Sequence, residues 1–204
     1  MPGNEPFYEL LKKRRAVRSY TGESAPRETL DRIVRAARRG PNAGYSQGLR
    51  LLVVDDPEVI GTLAGWQEDE RSQEWFGKAA AHMLVMTREQ DYHDRYNQPD
   101  KLAVTGGVEV IWPVPFWHVD AGAALMLLWL AALEEGLAAA VYGVPVEEDG
   151  RWRELLALPD DLTVVVGVTV GHPAEDPDWE RATSVFSQRR RSIDEVVRWN
   201  RWSS

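Results

Sequence analysis

The stretch FWHVDAGAALMLLWLAALEEG, Phe116 to Gly136, decides the fold. Apolar residues lie on nearly every side of the helix it would form, and such a helix belongs inside a protein rather than on its surface. Its uncharged run, Ala121 to Leu133, spans 13 residues between Asp120 and Glu134, short of the roughly 20 that a membrane-crossing helix uses. It reads as a central core helix, and no membrane association is expected. From Val119 to Glu135 it carries more apolar surface than a domain of 204 residues easily covers alone. A homodimer closed over it is therefore expected.

Outward from that helix, four short apolar runs read as strands: LRLLVVDD from Leu49, AAHMLVMT from Ala80, AAAVYG from Ala138 and LTVVVGVTVG from Leu162. PFYELLKKRR and PRETLDRIVRAARRG open on prolines suited to a first helical turn, and Gly40 ends the second. PEVIGTLAGW and RWRELLAL complete the expected helices. Neither a repeat nor a domain boundary is visible, so residues 1–204 read as one domain. The stretch MTREQDYHDRYNQPDKLAVTGGVEVIWPVPFW lacks clear periodicity and is rich in Pro, Gly and aromatics. A stretch of that kind inside a compact chain is usually functional, which predicts a lid or substrate-facing insertion at about 88–115.

The chain has no cysteine. That excludes disulfides, thiolate metal sites and thiol catalysis, and together with the lack of a secretory-type start it predicts a cytoplasmic protein. Charge is segregated: residues 1–54 hold 11 Lys/Arg against 5 Asp/Glu, residues 181–204 hold 6 against 2, and the middle holds 7 against 25. Nucleic-acid binding wants a broad positive face. Two concentrated basic ends suit one small anion better, and no nucleic-acid partner is expected. The four histidines, at 82, 93, 118 and 172, show no i, i+4 pair, so no metal site is expected. No nucleophile elbow is present, and Gly106-Gly107 forms neither a dinucleotide fingerprint nor a phosphate loop. With no side-chain machinery for nucleophilic chemistry, a cofactor bringing its own reactivity is the reading that remains.

Three segments, in order, resemble the FMN-dependent nitroreductase family. RRAVRSYTGESAPRETLDRIVRAARRGPNAGYSQGLRLLVV is similar to that family's basic start, helix and polar turn into the first strand. VDAGAALMLLWLAALEEGLAAAVYGVP resembles its central helix and glycine-containing turn, and VVVGVTVGHPAEDP with RRRSIDEVVRWNRW resembles its closing strand and tail. Residues 55 to 115 match poorly. The pattern is also broken at Tyr45, where Asn is usual, and at Gly48-Leu49, where Pro-Trp is usual.

The resemblance implies an α+β fold, a small, mainly antiparallel sheet flanked by helices, in an intertwined homodimer with FMN at the subunit interface. It implies a ping-pong oxidoreductase moving electrons from NADH or NADPH to a nitroaromatic, quinone or other planar acceptor. The alternatives it leaves are a specialised FMN-dependent dehydrogenase or dehalogenase, or a flavin- or deazaflavin-binding module. Residue by residue, it assigns the phosphate to Arg14, with Arg15 and Ala16 in the same motif, and to Arg190, for which Arg189 or Arg191 could substitute. Arg18 falls near the flavin N1 and O2 atoms, tuning the ring, and no side chain is assigned as catalytic. Asn42, Ser46 and Gln47 would reach the flavin across the interface. Tyr142 and Gly143 would lie beside its central ring, with a backbone N–H near N5; Tyr142 would either stack there or simply pack. Trp112, Phe116 and Trp117, near Tyr92 and Tyr96, would line an aromatic mouth for the acceptor.

Overall fold

The computed structural model describes residues 5–145, 148–175 and 191–202. The chain divides into two compact units, Met1–Ala174 and Glu175–Ser204. In the first, α1 (Glu5–Lys13) and α2 (Arg27–Ala37) precede β1 (Leu49–Val54), then α3 (Pro57–Gly65), α4 (Glu70–Gly77) and β2 (Ala81–Thr87). Helices α5 (Gln90–Tyr96), α6 (Pro99–Thr105) and α7 (Phe116–Glu134) lead to β3 (Ala138–Tyr142), α8 (Asp149–Leu156) and β4 (Thr163–Gly171). The described part of the second unit holds one short helix, α9 (Ile193–Val196).

The sheet has the order β1-β2-β4-β3, and every pairing is antiparallel. Strand β2 is buried along its whole length, which explains why AHMLVMT reads as a continuous apolar run. Successive side chains of a strand point to opposite faces. Met83 and Val85 accordingly join Leu30 and Ile33 of α2 and Leu128 and Ala132 of α7 in one core. Leu84 and Met86 join Leu63 of α3, Trp75 and Phe76 of α4 and Trp152 of α8 in the other. Each fully buried Leu, Ile or Phe contributes about 1.5–3 kcal/mol.

Helix α7 is the element the sequence put at the centre, and it packs on α2 and the sheet. Over its most apolar window the mean hydropathy is 1.6, and at 19 residues the helix is long enough to cross a membrane by length and composition. Its contacts are those of a core helix. Three helices of the first unit, α4, α5 and α6, were not expected. Helix α4 starts at Asp69, whose carboxylate accepts from the Ser72 N–H at 2.9 Å. Helices α5 and α6 lie inside the stretch expected to be irregular. Pro99 begins α6, and Gly106, left-handed at φ 74°, ends it.

Candidate active site

After α1 the chain runs alongside β3. Ala16 bridges Ala139 in parallel, and the Val17 N–H donates to the Ala139 carbonyl at 3.1 Å. Tyr20 pins this segment from within: its buried hydroxyl contacts the Val17 carbonyl at 2.8 Å and Thr169 Oγ1 at 2.9 Å. Two arginines of the start motif are thereby fixed against the fold. The Arg14 guanidinium lies 4.9 Å from the Trp129 ring of α7. Arg18 donates to the Val141 carbonyl at 3.3 Å and sits 5.5 Å from the Trp75 ring. Both are half-buried, whereas Arg15 is exposed.

Two residues beyond Val141, Gly143 has open space above it, for a Cβ built there meets nothing within 4 Å. Its φ is ordinary, so what it offers is room for a flat ligand and not an unusual conformation. Of the two alternatives for Tyr142, stacking or packing, its ring takes the second within this chain. It packs inward on Phe76 and Trp152, at centroid distances of 4.7 and 5.9 Å. Its hydroxyl lies 3.1 Å from Nδ1 of buried His82. The seat for that ring is Gly167, where any Cβ would collide with it. Nε2 of His82 faces the Phe76 carbonyl at 3.0 Å. A carbonyl only accepts, so Nε2 carries the hydrogen and Nδ1 accepts from Tyr142. Burial pushes the His82 pKa down to about 4, and it is neutral.

The second group of assigned residues is the turn after α2. Tyr45 and Gln47 both have left-handed φ, 61° and 56°, a conformation costly for residues other than glycine and concentrated at functional sites. Asn42 Oδ1 accepts from the Gln47 N–H at 3.0 Å, and the Ser46 hydroxyl donates to the Ala43 carbonyl at 2.6 Å. These bonds leave the Asn42 amide nitrogen as the donor end of that side chain. Arg95 of α5 donates to the Gly44 carbonyl at 2.9 Å. Oδ2 of Asp120 accepts from the Ala43 N–H at 2.9 Å and the Tyr92 hydroxyl at 2.7 Å. Gly48, where the family carries Pro, also has a physical cause. The Tyr92 ring and the Arg88 carbonyl occupy the position of any side chain. A cleft of about 330 Å³ opens beside this turn, lined among others by Arg38, Asn42, Tyr45, Gln47 and Asp120.

The aromatic residues gather on the same side. Trp112 lies 4.5 Å from Tyr96, 5.9 Å from Phe116 and 6.0 Å from Trp117 by ring centroids. Trp117 is 9% exposed and also packs on Tyr92, so its role is to fill the cluster rather than to meet an acceptor. Trp112 and Phe116 are half-buried and keep an open edge. Within one chain the assigned residues thus form two groups. Arg18 and Gly143 share the Val141 end of β3, with Arg14 before the Ala16–Ala139 bridge, while Asn42, Ser46, Gln47, Trp112 and Phe116 share the α5 side. Arg190 lies outside the described residues. Among the described residues, no three His, Asp or Glu cluster as a metal site would require.

A nitroreductase family model matches residues 11–172. The chain belongs to the nitroreductase family. Among relatives of this family member, the FMN reductase (NAD(P)H) of Bacillus subtilis (strain 168) is 31% identical over 175 residues, covering 81% of this chain and 65% of the relative. Iodotyrosine deiodinase 1 of Rattus norvegicus is 24% identical over 95% of this chain and 69% of the relative. The NADPH:FMN oxidoreductase from Vibrio harveyi, solved in complex with NAD+, superposes with a TM-score of 0.71 at 21% identity, covering 97% of this chain and 78% of that one. The α+β nitroreductase fold expected from the sequence is therefore the fold observed. The enzyme class, an oxidoreductase, follows from the same membership.

Proposed function

We propose that this nitroreductase family member is an FMN-dependent oxidoreductase that takes electrons from NADH or NADPH and delivers them, in ping-pong order, to a nitroaromatic, quinone or other planar acceptor. The observation that carries this reading is the β3 corner. A half-buried guanidinium is held at the Val141 carbonyl, two residues from a glycine with nothing above it. FMN needs a cation at its ring edge, a backbone it can approach closely and a grip on its phosphate, and the chain's residues fit those needs. When bound, FMN supplies the two-electron chemistry, taking a hydride from the nicotinamide and passing electrons to the acceptor.

The protein's part is to bind, orient and supply charge. Arg14 holds the phosphate, since a planar guanidinium meets its oxygens two at a time. Arg18 brings a fixed positive charge to the edge where the ring gains negative charge, an interaction stronger in a pocket that excludes water. Gly143 lends its backbone N–H. Trp112 and Phe116 present an aromatic wall to the acceptor, and orientation over the ring supplies most of the rate.

The functional unit in this reading is a cytoplasmic homodimer, with residues 1–204 acting as one domain. Its support is the uncovered apolar side of α7, where Val119 is 54% and Met126 40% exposed. A second support is the separation within one chain of the Asn42–Gln47 turn from the β3 corner. A partner's turn reaching across the interface would complete each site. A second reading, a specialised dehalogenase on the same flavin, is favoured by the likeness to iodotyrosine deiodinase 1 over 95% of this chain and 69% of that relative.

Anaerobic addition of NADPH or NADH to the FMN-loaded protein should bleach the oxidised flavin absorbance, and menadione added afterwards should restore it. Arg18→Ala should slow the bleaching about tenfold or more while the flavin stays bound. If dithionite bleaches the flavin and neither nicotinamide does, the reductase reading fails and the dehalogenase reading takes its place.

A further inference from the structure

Trp112 hangs on one carboxylate. Glu109, three residues before it, accepts from the Trp112 indole N–H at 3.1 Å. The same carboxylate contacts His93 Nδ1 at 2.5 Å and accepts from Asn97 Nδ2 at 2.7 Å. The other ring nitrogen of His93 faces Glu89 at 3.3 Å. Glu109 therefore ties the segment between α6 and α7 to two residues of the α5 region, and one of those ties also fixes the plane of an indole. The Gly106-Gly107 turn, with φ of 74° and 87°, is what lets the chain double back from α6 so that Glu109 meets α5.

We propose that Glu109, backed by His93, is a positioning residue for acceptor binding. It holds the Trp112 indole as a wall of the acceptor pocket, and the hold loosens when His93 loses its proton. The proposal rests on the reductase reading for the identity of the acceptor and on the geometry alone for the linkage. With both ring nitrogens directed at carboxylates, the imidazolium donates twice. A neutral ring donates only once and turns a lone pair toward either Glu89 or Glu109.

The two carboxylates in contact with His93 favour the proton. Glu89 stands at the start of its own helix and Glu109 on the facing segment. The remaining neighbours on that side are the rings of Trp112 and Trp117, at 6.3 and 5.9 Å. Farther out, Lys101 of α6 is engaged over the Tyr96 ring and Arg95 is paired with Asp100. The hydrogen bond to Glu109, then that to Glu89, raises the His93 pKa above its ordinary 6.5. Burial would raise the Glu109 carboxyl, but the bonds from Trp112, His93 and Asn97 bring it below its usual value. Both shifts favour the imidazolium–carboxylate pair. The contact is present below the pKa of His93 in the fold and is lost as pH rises through it.

The test uses the full-length protein and two readouts that do not depend on turnover. The indole N–H resonance of Trp112, identified by its absence in Trp112→Phe, should move with pH at the same midpoint as the His93 imidazole signals. In Glu109→Ala that dependence should vanish. By equilibrium dialysis, Glu109→Ala should bind menadione about tenfold more weakly, and Glu109→Gln, which keeps an acceptor oxygen, only about two- to threefold more weakly. Flavin content should stay within about twofold, because the β3 corner is untouched. An indole resonance that ignores the His93 titration, or menadione affinity equal in all three proteins, overturns the proposal. If these effects hold but no nicotinamide reduces the flavin, the positioning role stands and the reductase reading alone falls.

Discussion

The β3 corner and the Asn42–Gln47 turn both carry residues assigned to the cofactor, yet different bonds hold them. At the corner, main-chain pairing with Ala139 and packing against two sheet faces fix the backbone, and Arg18 is held at the Val141 carbonyl. At the turn, one carboxylate and a network of side chains hold a loop that contains left-handed non-glycine residues. Backbone ladders are insensitive to the identity of most side chains, whereas a network fails when one member is lost. The corner should therefore break only when its packing is overfilled or its buried histidine is charged. The turn should respond to changes in single polar atoms.

The largest effect is expected at Gly167. Gly167→Ala puts a methyl into the Tyr142 ring, and neither the sheet nor a ring already packed on Phe76 and Trp152 has room to yield. Overpacking of this kind costs about 3 kcal/mol, the upper end of the usual range. Chemical denaturation should show it, and Gly167→Ala with Tyr142→Ala should recover part of the loss. A neutral single variant would mean that the ring does not sit where the corner requires it.

A smaller effect follows from His82. Its pKa in the fold, about 4, is below the ordinary value of about 6.5. The unfolded chain therefore binds a proton at a pH where the folded one does not, and stability rises with pH across that window. The contribution is fully present above about pH 6.5 and falls as the pH drops toward 4, by about 2 kcal/mol at pH 5. Denaturation of wild type and His82→Leu at pH 7 and pH 5 should show this component in the wild type alone. Equal losses in both would assign the acid sensitivity to the carboxylates and remove the buried histidine as its source.

The contrast between the regions is also one of legibility. Four strands and the central helix were visible as apolar runs, because elements of five or more residues with buried faces imprint a period on the sequence. Helices α5 and α6, of seven residues each, complete barely two turns and show no such period. The inward course of Tyr142 was in fact readable from strand alternation. Ala138, Ala140 and Tyr142 share the face packed on α4 and α8, while Ala139 and Val141 share the other. The assignment beside the flavin came from the resemblance, which says nothing about which way that ring turns. The partners of Asp120 were not readable by any local rule, for they lie 77 and 28 residues away.

Asp120 gives the finest test of the turn. The carboxylate is 9% exposed, and a single oxygen takes both the Ala43 N–H and the Tyr92 hydroxyl. Burial and the bond to Asp120 push the Tyr92 hydroxyl above its ordinary pKa, so it stays protonated and donates. In Asp120→Asn the amide oxygen can occupy the same place and accept both bonds, and only the strengthening due to charge is lost. That difference is about 1 kcal/mol. Asp120→Ala leaves two buried donors unsatisfied and should cost more, with the turn released. If the turn reaches a partner's flavin, the Ala variant should also weaken FMN binding, whereas Asn should leave it nearly unchanged. Measuring both variants by thermal melting and flavin titration separates the outcomes. Equal melting temperatures for Asn and Ala would show that Asp120 does not organise the turn, and flavin affinity unchanged in a destabilised Ala variant would remove the turn from the cofactor site.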